Sequence, residues 1–204
     1  MPVSAFLYGH YACPHTCIAQ GRLDLLAAEA PVSVVWRPLP PALVGDAGDT
    51  DWSAVTGPGA DLADTIHELR RDAAALGFTL SLPPAPPDPR LALQAAEFAR
   101  DCGPREFTAL HRALFRAVFV DERDIERRET LFEIAEASGV DAEGLAAALD
   151  DGRYEPALRE VEEEAVRYSI DATPTILLGR YKLVGAATLD VLGSTLQRAL
   201  EASG

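Results

Sequence analysis

Ala12-Cys13-Pro14-His15-Thr16-Cys17 stands between a short apolar run, Val3 to Tyr8, and a helical pattern carrying Leu23, Leu26 and Ala27. That order reads as strand, tight loop, reactive cysteine, helix. A thiol at a helix start faces unpaired backbone N–H groups and the positive end of the helix macrodipole, and both favour the nucleophilic thiolate. Pro14 suits the first helical position, because its φ is already helical and its missing N–H would be unpaired there in any case. His15, when protonated, favours the Cys13 thiolate further. The plain alternative is a packed thiol, since a buried free cysteine behaves as a small hydrophobe. Zinc held by Cys13 and Cys17 with His10 and His15 is the poorer reading. A single short cluster interrupted by Pro14 does not match the spacings of structural zinc sites.

Composition narrows the classes. With 204 residues, 48% of them hydrophobic, the chain suits one domain, or one domain carrying a sizeable insertion. Acidic residues outnumber Lys plus Arg by 32 to 18, a formal charge of −14, which argues against nucleic acid or an anionic membrane as partner. The first residues show no basic region followed by an apolar core, so no secretory signal is expected and the cytoplasm is the expected compartment. No stretch approaches the roughly 20 apolar residues of a membrane span. In a reducing cytosol, three cysteines point to reactive or buried thiols and not to a disulfide framework.

Along the chain, Val3 to Tyr8 reads as a buried strand, Pro14 to about Ala30 as a helix, and Val32-Ser33-Val34-Val35-Trp36 as a second strand stopped by Pro38, Pro40 and Pro41. Together they make a βαβ unit with a right-handed crossover. A loop is expected from about Val44 to Gly59. A helix then carries Leu62, Ile66, Leu69, Ala73 and Leu76, capped by Asp61 and closed by Gly77, with His67 half-exposed beside the stripe. The run Pro83 to Pro89 is a stiff extended connector. Three amphipathic helices follow, carrying Leu91, Ala95 and Phe98; Phe107, Leu110, Leu114 and Val118; and Leu131, Ile134 and Ala135. Breaks fall at Gly103-Pro104 and around Asp121 to Arg128, and Cys102 reads as a packed, inert thiol. Asp141 caps a short helix over Leu145 and Leu149. A longer helix from about Glu155 presents Leu158, Val161, Ala165 and Tyr168 on one face, with Glu160 and Glu162 to Glu164 on a solvated one. The period then changes: Thr175 to Leu178 and Tyr181 to Val184 flank Gly179-Arg180 as a hairpin. A last helix from Thr188 is striped by Leu189, Leu192, Leu196 and Leu200.

Ala172-Thr173-Pro174-Thr175 enters that hairpin where an ordinary strand does not tolerate proline. A cis Thr173-Pro174 bond would turn backbone groups of Thr173 outward, free to pair with an extended substrate beside the thiol. A trans proline at a strand's first residue is the alternative.

Cysteine at a helix start after the first strand, followed much later by Thr-Pro before a hairpin and a closing helix, resembles the thioredoxin-fold oxidoreductases. The helical block resembles their DsbA-like branch, and the details resemble its cytosolic FrnE-like members. The resemblance is carried by Cys13-Pro14-His15, Val35-Trp36-Arg37-Pro38, Leu114 to Phe119 with Asp124-Ile125 behind, Leu131 to Asp141, and Ala172 to Thr175 running on to Gly185-Ala186. It implies an α/β thioredoxin-like fold with an all-α insertion: residues 1–45 and 155–204 form the thioredoxin-like part and residues 46–154 the insertion. It also implies a nucleophile at Cys13, tuned by Pro14 and His15, and a cis-proline loop at Thr173 and Pro174 that receives protein or small-molecule thiols and disulfides. In the family the second cysteine stands three residues after the first; here that position is Thr16, and Cys17, one place later, is the candidate resolving thiol. No metal or organic cofactor is required, glutathione is a possible co-substrate, and a monomer or homodimer is expected. Two other readings remain. The kappa-class transferases and chromene-carboxylate isomerases are similar in architecture but carry serine where Cys13 stands. A thioredoxin-like module that binds peptide at the Pro174 loop without chemistry would need no reactive Cys13.

Overall fold

β1 (Val3–Gly9) lies at the centre of the fold, and the chain returns to it twice. The computed structural model describes residues 2–41, 52–55 and 61–202. After β1 come α1 (Pro14–Glu29) and β2 (Val32–Pro38), which pairs with β1 in parallel, Val3 opposite Val32 through Gly9 opposite Pro38. A single helical turn, Trp52–Val55, precedes α2 (Leu62–Ala75), α3 (Arg90–Cys102), α4 (Pro104–Phe119), α5 (Arg128–Ala137) and α6 (Ala142–Asp150). α7 (Glu155–Arg167) leads back to the sheet, where β3 (Thr175–Leu178) runs antiparallel to β1 and turns at Gly179-Arg180 into β4 (Tyr181–Val184). α8 (Leu189–Glu201) closes the order, and the sheet reads β2-β1-β3-β4. This is the α/β thioredoxin-like fold, a four-stranded mixed sheet with eight helices among the described residues.

Strand periodicity separates the two faces of the sheet. Ala5 and Leu7 of β1, with Ile176 and Leu178 of β3, join the main core that α1 to α6 and α8 share. Tyr8 and Leu177 turn the other way, against Val161 and Ala165 of α7, with Leu39 and Ile170. Each fully buried leucine, such as Leu7 or Leu23, contributes about 1.5 to 3 kcal/mol of apolar transfer. The loop expected over residues 44–59 lies mostly outside the described residues. Within it, Trp52 is buried and its indole N–H donates to the Pro83 carbonyl at 2.7 Å, which ties that turn to the proline connector.

Three side chains depart from the sequence reading. Cys102 is exposed, not packed, because the last turn of α3 runs past the core and leaves both Asp101 and Cys102 in solvent. Tyr168, expected on the buried stripe of α7, is exposed: it caps the helix beyond Arg167, where the apolar face has ended. Leu189 is likewise exposed in the first turn of α8, outside the stripe of Leu192 and Leu196. The carboxylate of Glu164 is also more than part of a solvated face. It accepts from the Tyr8 hydroxyl at 2.9 Å and pairs with the Arg37 guanidinium, fastening α7 to β1 and β2.

Candidate functional site

The chain leaves β1 at Gly9 and passes through His10, Tyr11 and Ala12 to Cys13, the N-cap of α1, with extended φ/ψ of −100° and 112°. Pro14 occupies the first helical turn and is buried; His15 follows, half-buried. The N–H groups of Thr16 and Cys17 both point back to the Cys13 carbonyl, at 3.0 and 3.2 Å, so the first turn of α1 closes on the cysteine. The Cys13 side chain makes no capping hydrogen bond at this helix start.

The opposite wall comes from the far end of the sequence. The Thr173–Pro174 peptide bond is cis. The Cys13 thiol donates to the Thr173 carbonyl at 3.7 Å across 160 residues of sequence. Around this loop the Thr175 hydroxyl donates to the Ala172 carbonyl at 2.7 Å, and Gly185 N–H donates to the Pro174 carbonyl at 2.8 Å. Arg22, buried on α1, completes the frame. It donates to the Ala186 carbonyl at 2.6 Å and pairs with Asp72 of α2 at 2.7 Å, so the loop between β4 and α8 is held against α1.

The structure thus brings Cys13 together with Thr173 and Pro174, and places Pro14, His15, Thr16 and Cys17 on the first turn beneath them. The three thiols are free, and their surroundings differ. Burial, with the neighbouring Cys13 adding to it, pushes the Cys17 thiol up to about 12. At Cys102, desolvation and then the carboxylates of Glu106, Asp101 and Asp141 push the thiol up. Thr16 is fully buried, and its hydroxyl has no hydrogen-bond partner. It packs on Gly9 so closely that a Cβ there would come within 2.4 Å of Thr16 Cγ2. Among the described residues no group of three or more His, Cys, Asp or Glu side chains is placed to hold a metal ion.

The family whose pattern this chain matches is described as a DSBA-like thioredoxin domain, over residues 7–197. The chain belongs to that family. A probable DsbA oxidoreductase of Streptomyces coelicolor is similar to this DSBA-like chain with 26% identity and a TM-score of 0.81, over 98% of this chain and 90% of that one. A 2-hydroxychromene-2-carboxylate isomerase shares the fold at 20% identity and a TM-score of 0.79, over 98% and 97% of the two chains. The uncharacterized protein YwbO of Bacillus subtilis (strain 168) is 25% identical over 94% of each chain.

Other residues that frame the DSBA-like site escaped the sequence reading. His10, weighed only as a metal ligand, is buried, and its Nε2 lies 3.3 Å from Thr173 Oγ1. Tyr11 enters an aromatic cluster with Trp36, His111 and Phe115. His111 Nε2 donates to Gln20 Oε1 at 3.1 Å, which leaves Nδ1 to accept the Tyr11 hydroxyl at 2.7 Å. The signal for His111 was present in α4, since it follows Leu110 on the apolar stripe, but periodicity does not say which ring it would meet. Burial, then the charges of Arg100 and Arg112, lower the His111 pKa from 6.5 to about 3. Between those values the unfolded chain takes a proton that the folded chain refuses. Stability therefore falls as pH drops below 6.5, by at most about 1.4 kcal/mol per pH unit. In His111→Gln, whose amide can still serve both neighbours, thermal melts between pH 6.5 and 5 are expected to fall less steeply than in wild type. Parallel slopes would mean that His111 does not carry the acid sensitivity.

Proposed function

We propose that this DSBA-like chain is a cytoplasmic thiol-disulfide oxidoreductase of the FrnE-like kind, acting on protein or small-molecule thiols and disulfides with glutathione as co-substrate. The observation that carries the reading is the thiol of Cys13 at the start of α1, 3.7 Å from the carbonyl of Thr173. Family membership supports an enzyme of this general kind, an oxidoreductase or isomerase. No helix among the described residues is long and apolar enough to cross a membrane.

In the forward step the Cys13 thiolate attacks one sulfur of a substrate disulfide. A Cys13–substrate disulfide forms, the substrate S–S bond breaks, and the departing sulfur leaves with the electron pair and takes a proton. A second thiolate then attacks the substrate sulfur of the mixed disulfide: a disulfide forms between that thiol and the substrate, the Cys13–substrate bond breaks, and Cys13 leaves as thiolate with the electron pair. Glutathione suits that second role. Cys17 is a poor resolving thiol, because at about 12 its thiolate is scarce at neutral pH. His15 and the helix start favour the Cys13 thiolate, and Thr173 and Pro174 receive the substrate.

The test is site-resolved alkylation of the native protein at about pH 6, read by mass spectrometry. Cys13 is expected to react first, with Cys17 and Cys102 far behind. Equal rates at Cys13 and Cys102 would sink the assignment. In the same material, Cys13 glutathionylated by oxidised glutathione is expected to decay equally in wild type and Cys17→Ser; rapid loss only in wild type would restore Cys17 as resolving thiol.

A further inference from the structure

We infer that His10 is a positioning residue that locks the loop receiving substrate to the loop carrying the nucleophile, an inference that rests on the thiol-exchange reading above. Three contacts close a circuit. The His10 carbonyl accepts the Cys13 N–H at 3.3 Å, the Cys13 thiol donates to the Thr173 carbonyl at 3.7 Å, and the Thr173 hydroxyl lies 3.3 Å from His10 Nε2. His10 is only 3% exposed, so its ring is held in place and water competes little for the contact.

The circuit behaves differently once the nucleophile forms. A thiolate has no proton to donate, so the bond from Cys13 to the Thr173 carbonyl is lost when the sulfur becomes reactive. The contact between His10 and Thr173 does not pass through the sulfur and survives that change. It keeps Thr173 in register with Cys13 while the carbonyl, now free, becomes available to an extended peptide. Ala172 and Pro174 are already fastened on either side by Thr175 and Gly185, and the Thr173 side chain is linked across the site to His10. His10 therefore acts through Thr173 on substrates that pair with backbone. A small alkylating reagent needs no such pairing.

The experiment compares His10→Ala, His10→Gln, Thr173→Val and the double variant His10→Ala/Thr173→Val in the full chain. Two reactions of Cys13 are followed: alkylation by iodoacetamide, and exchange with an extended peptide carrying a glutathione mixed disulfide. The expected result for His10→Ala is a rise of about tenfold or more in KM for the peptide, with kcat and the alkylation rate held within about twofold. Thr173→Val reproduces it, the double variant is no worse than the worse single, and His10→Gln, whose terminal amide reaches the place of Nε2, recovers most of the loss. An equal slowing of alkylation and exchange in His10→Ala would overturn the inference, because the imidazole would then act on the sulfur itself. Unchanged KM, or singles that multiply in the double variant, would overturn it as well. The contact is also read without turnover, from the imidazole 15N resonances of His10 in wild type and Thr173→Val: resonances that do not move overturn the inference. Resonances that move in a wild type inert toward peptide disulfides would instead remove the thiol-exchange reading and leave the contact standing.

Discussion

Cys13→Ser is expected to lower disulfide exchange by at least about a thousandfold while leaving the fold intact, because a serine hydroxyl at neutral pH cannot replace the thiolate as nucleophile or form a mixed disulfide. The position is suited to the substitution structurally. Cys13 is the N-cap of α1 and makes no side-chain capping bond, whereas serine is among the preferred N-cap residues, whose hydroxyl accepts from the N–H of the second or third helical residue, here His15 or Thr16. Melting temperature should therefore hold or rise slightly, which separates lost chemistry from lost structure. The substitution also discriminates among the other readings. An isomerase or transferase that works with serine at this place would keep a glutathione-dependent activity in Cys13→Ser, and a peptide-binding module would keep its affinity. Exchange activity in the variant above about one per cent of wild type would show that another group does the work.

The fold was largely legible because its signals are local. Val3 to Tyr8 and Val32 to Trp36 are β-rich runs closed by turn residues, and the amphipathic stripes of α3, α4 and α8 carry their buried faces in their own spacing. Capping by Asp61 and Asp141 follows from short polar side chains before apolar runs. What could not be read depends on contacts across the chain. That Glu164 meets Tyr8 and Arg37, that His111 meets Tyr11, and that His10 meets Thr173 are facts of sheet order and helix packing, with partners 100 or more residues apart in every case. Cys102, Tyr168 and Leu189 failed for a related reason. Each continues a stripe in sequence, but at a helix end the periodicity persists after the element that would cover it has stopped. The placing of Cys13 at the start of α1 was readable from the sequence; the residues that hold the Thr173-Pro174 loop in place were not.

On the proposed thiol-exchange reading, Thr16→Cys is expected to place a second thiol within reach of Cys13 and to raise turnover in thiol-driven insulin reduction by about tenfold or more, since an intramolecular thiol replaces one that must diffuse in. The resemblance to DsbA-like enzymes places their second cysteine here, and the local geometry is suited to it. Thr16 N–H donates to the Cys13 carbonyl at 3.0 Å, so the two residues face each other across a single turn whose first member lies outside helical φ/ψ. The existing side chain is also poorly served: it is fully buried, pressed against Gly9, with a hydroxyl that has no hydrogen-bond partner. An unsatisfied buried hydroxyl costs about 1 to 3 kcal/mol, whereas a thiol demands much less, so the substitution should not lower stability. Loss of the Thr16 methyl leaves the Gly9 contact looser and gives the new sulfur room to turn toward Cys13. The measurement is best made with Cys17→Ser in the background, so that any intramolecular disulfide must join Cys13 to the introduced thiol, with peptide mapping after oxidation and turnover before it. A variant that folds, forms no such disulfide and gains no turnover would show that the first turn of α1 cannot bring a second sulfur to Cys13. The path of the backbone, and not the threonine at this position, would then be what keeps a resolving thiol from Cys13.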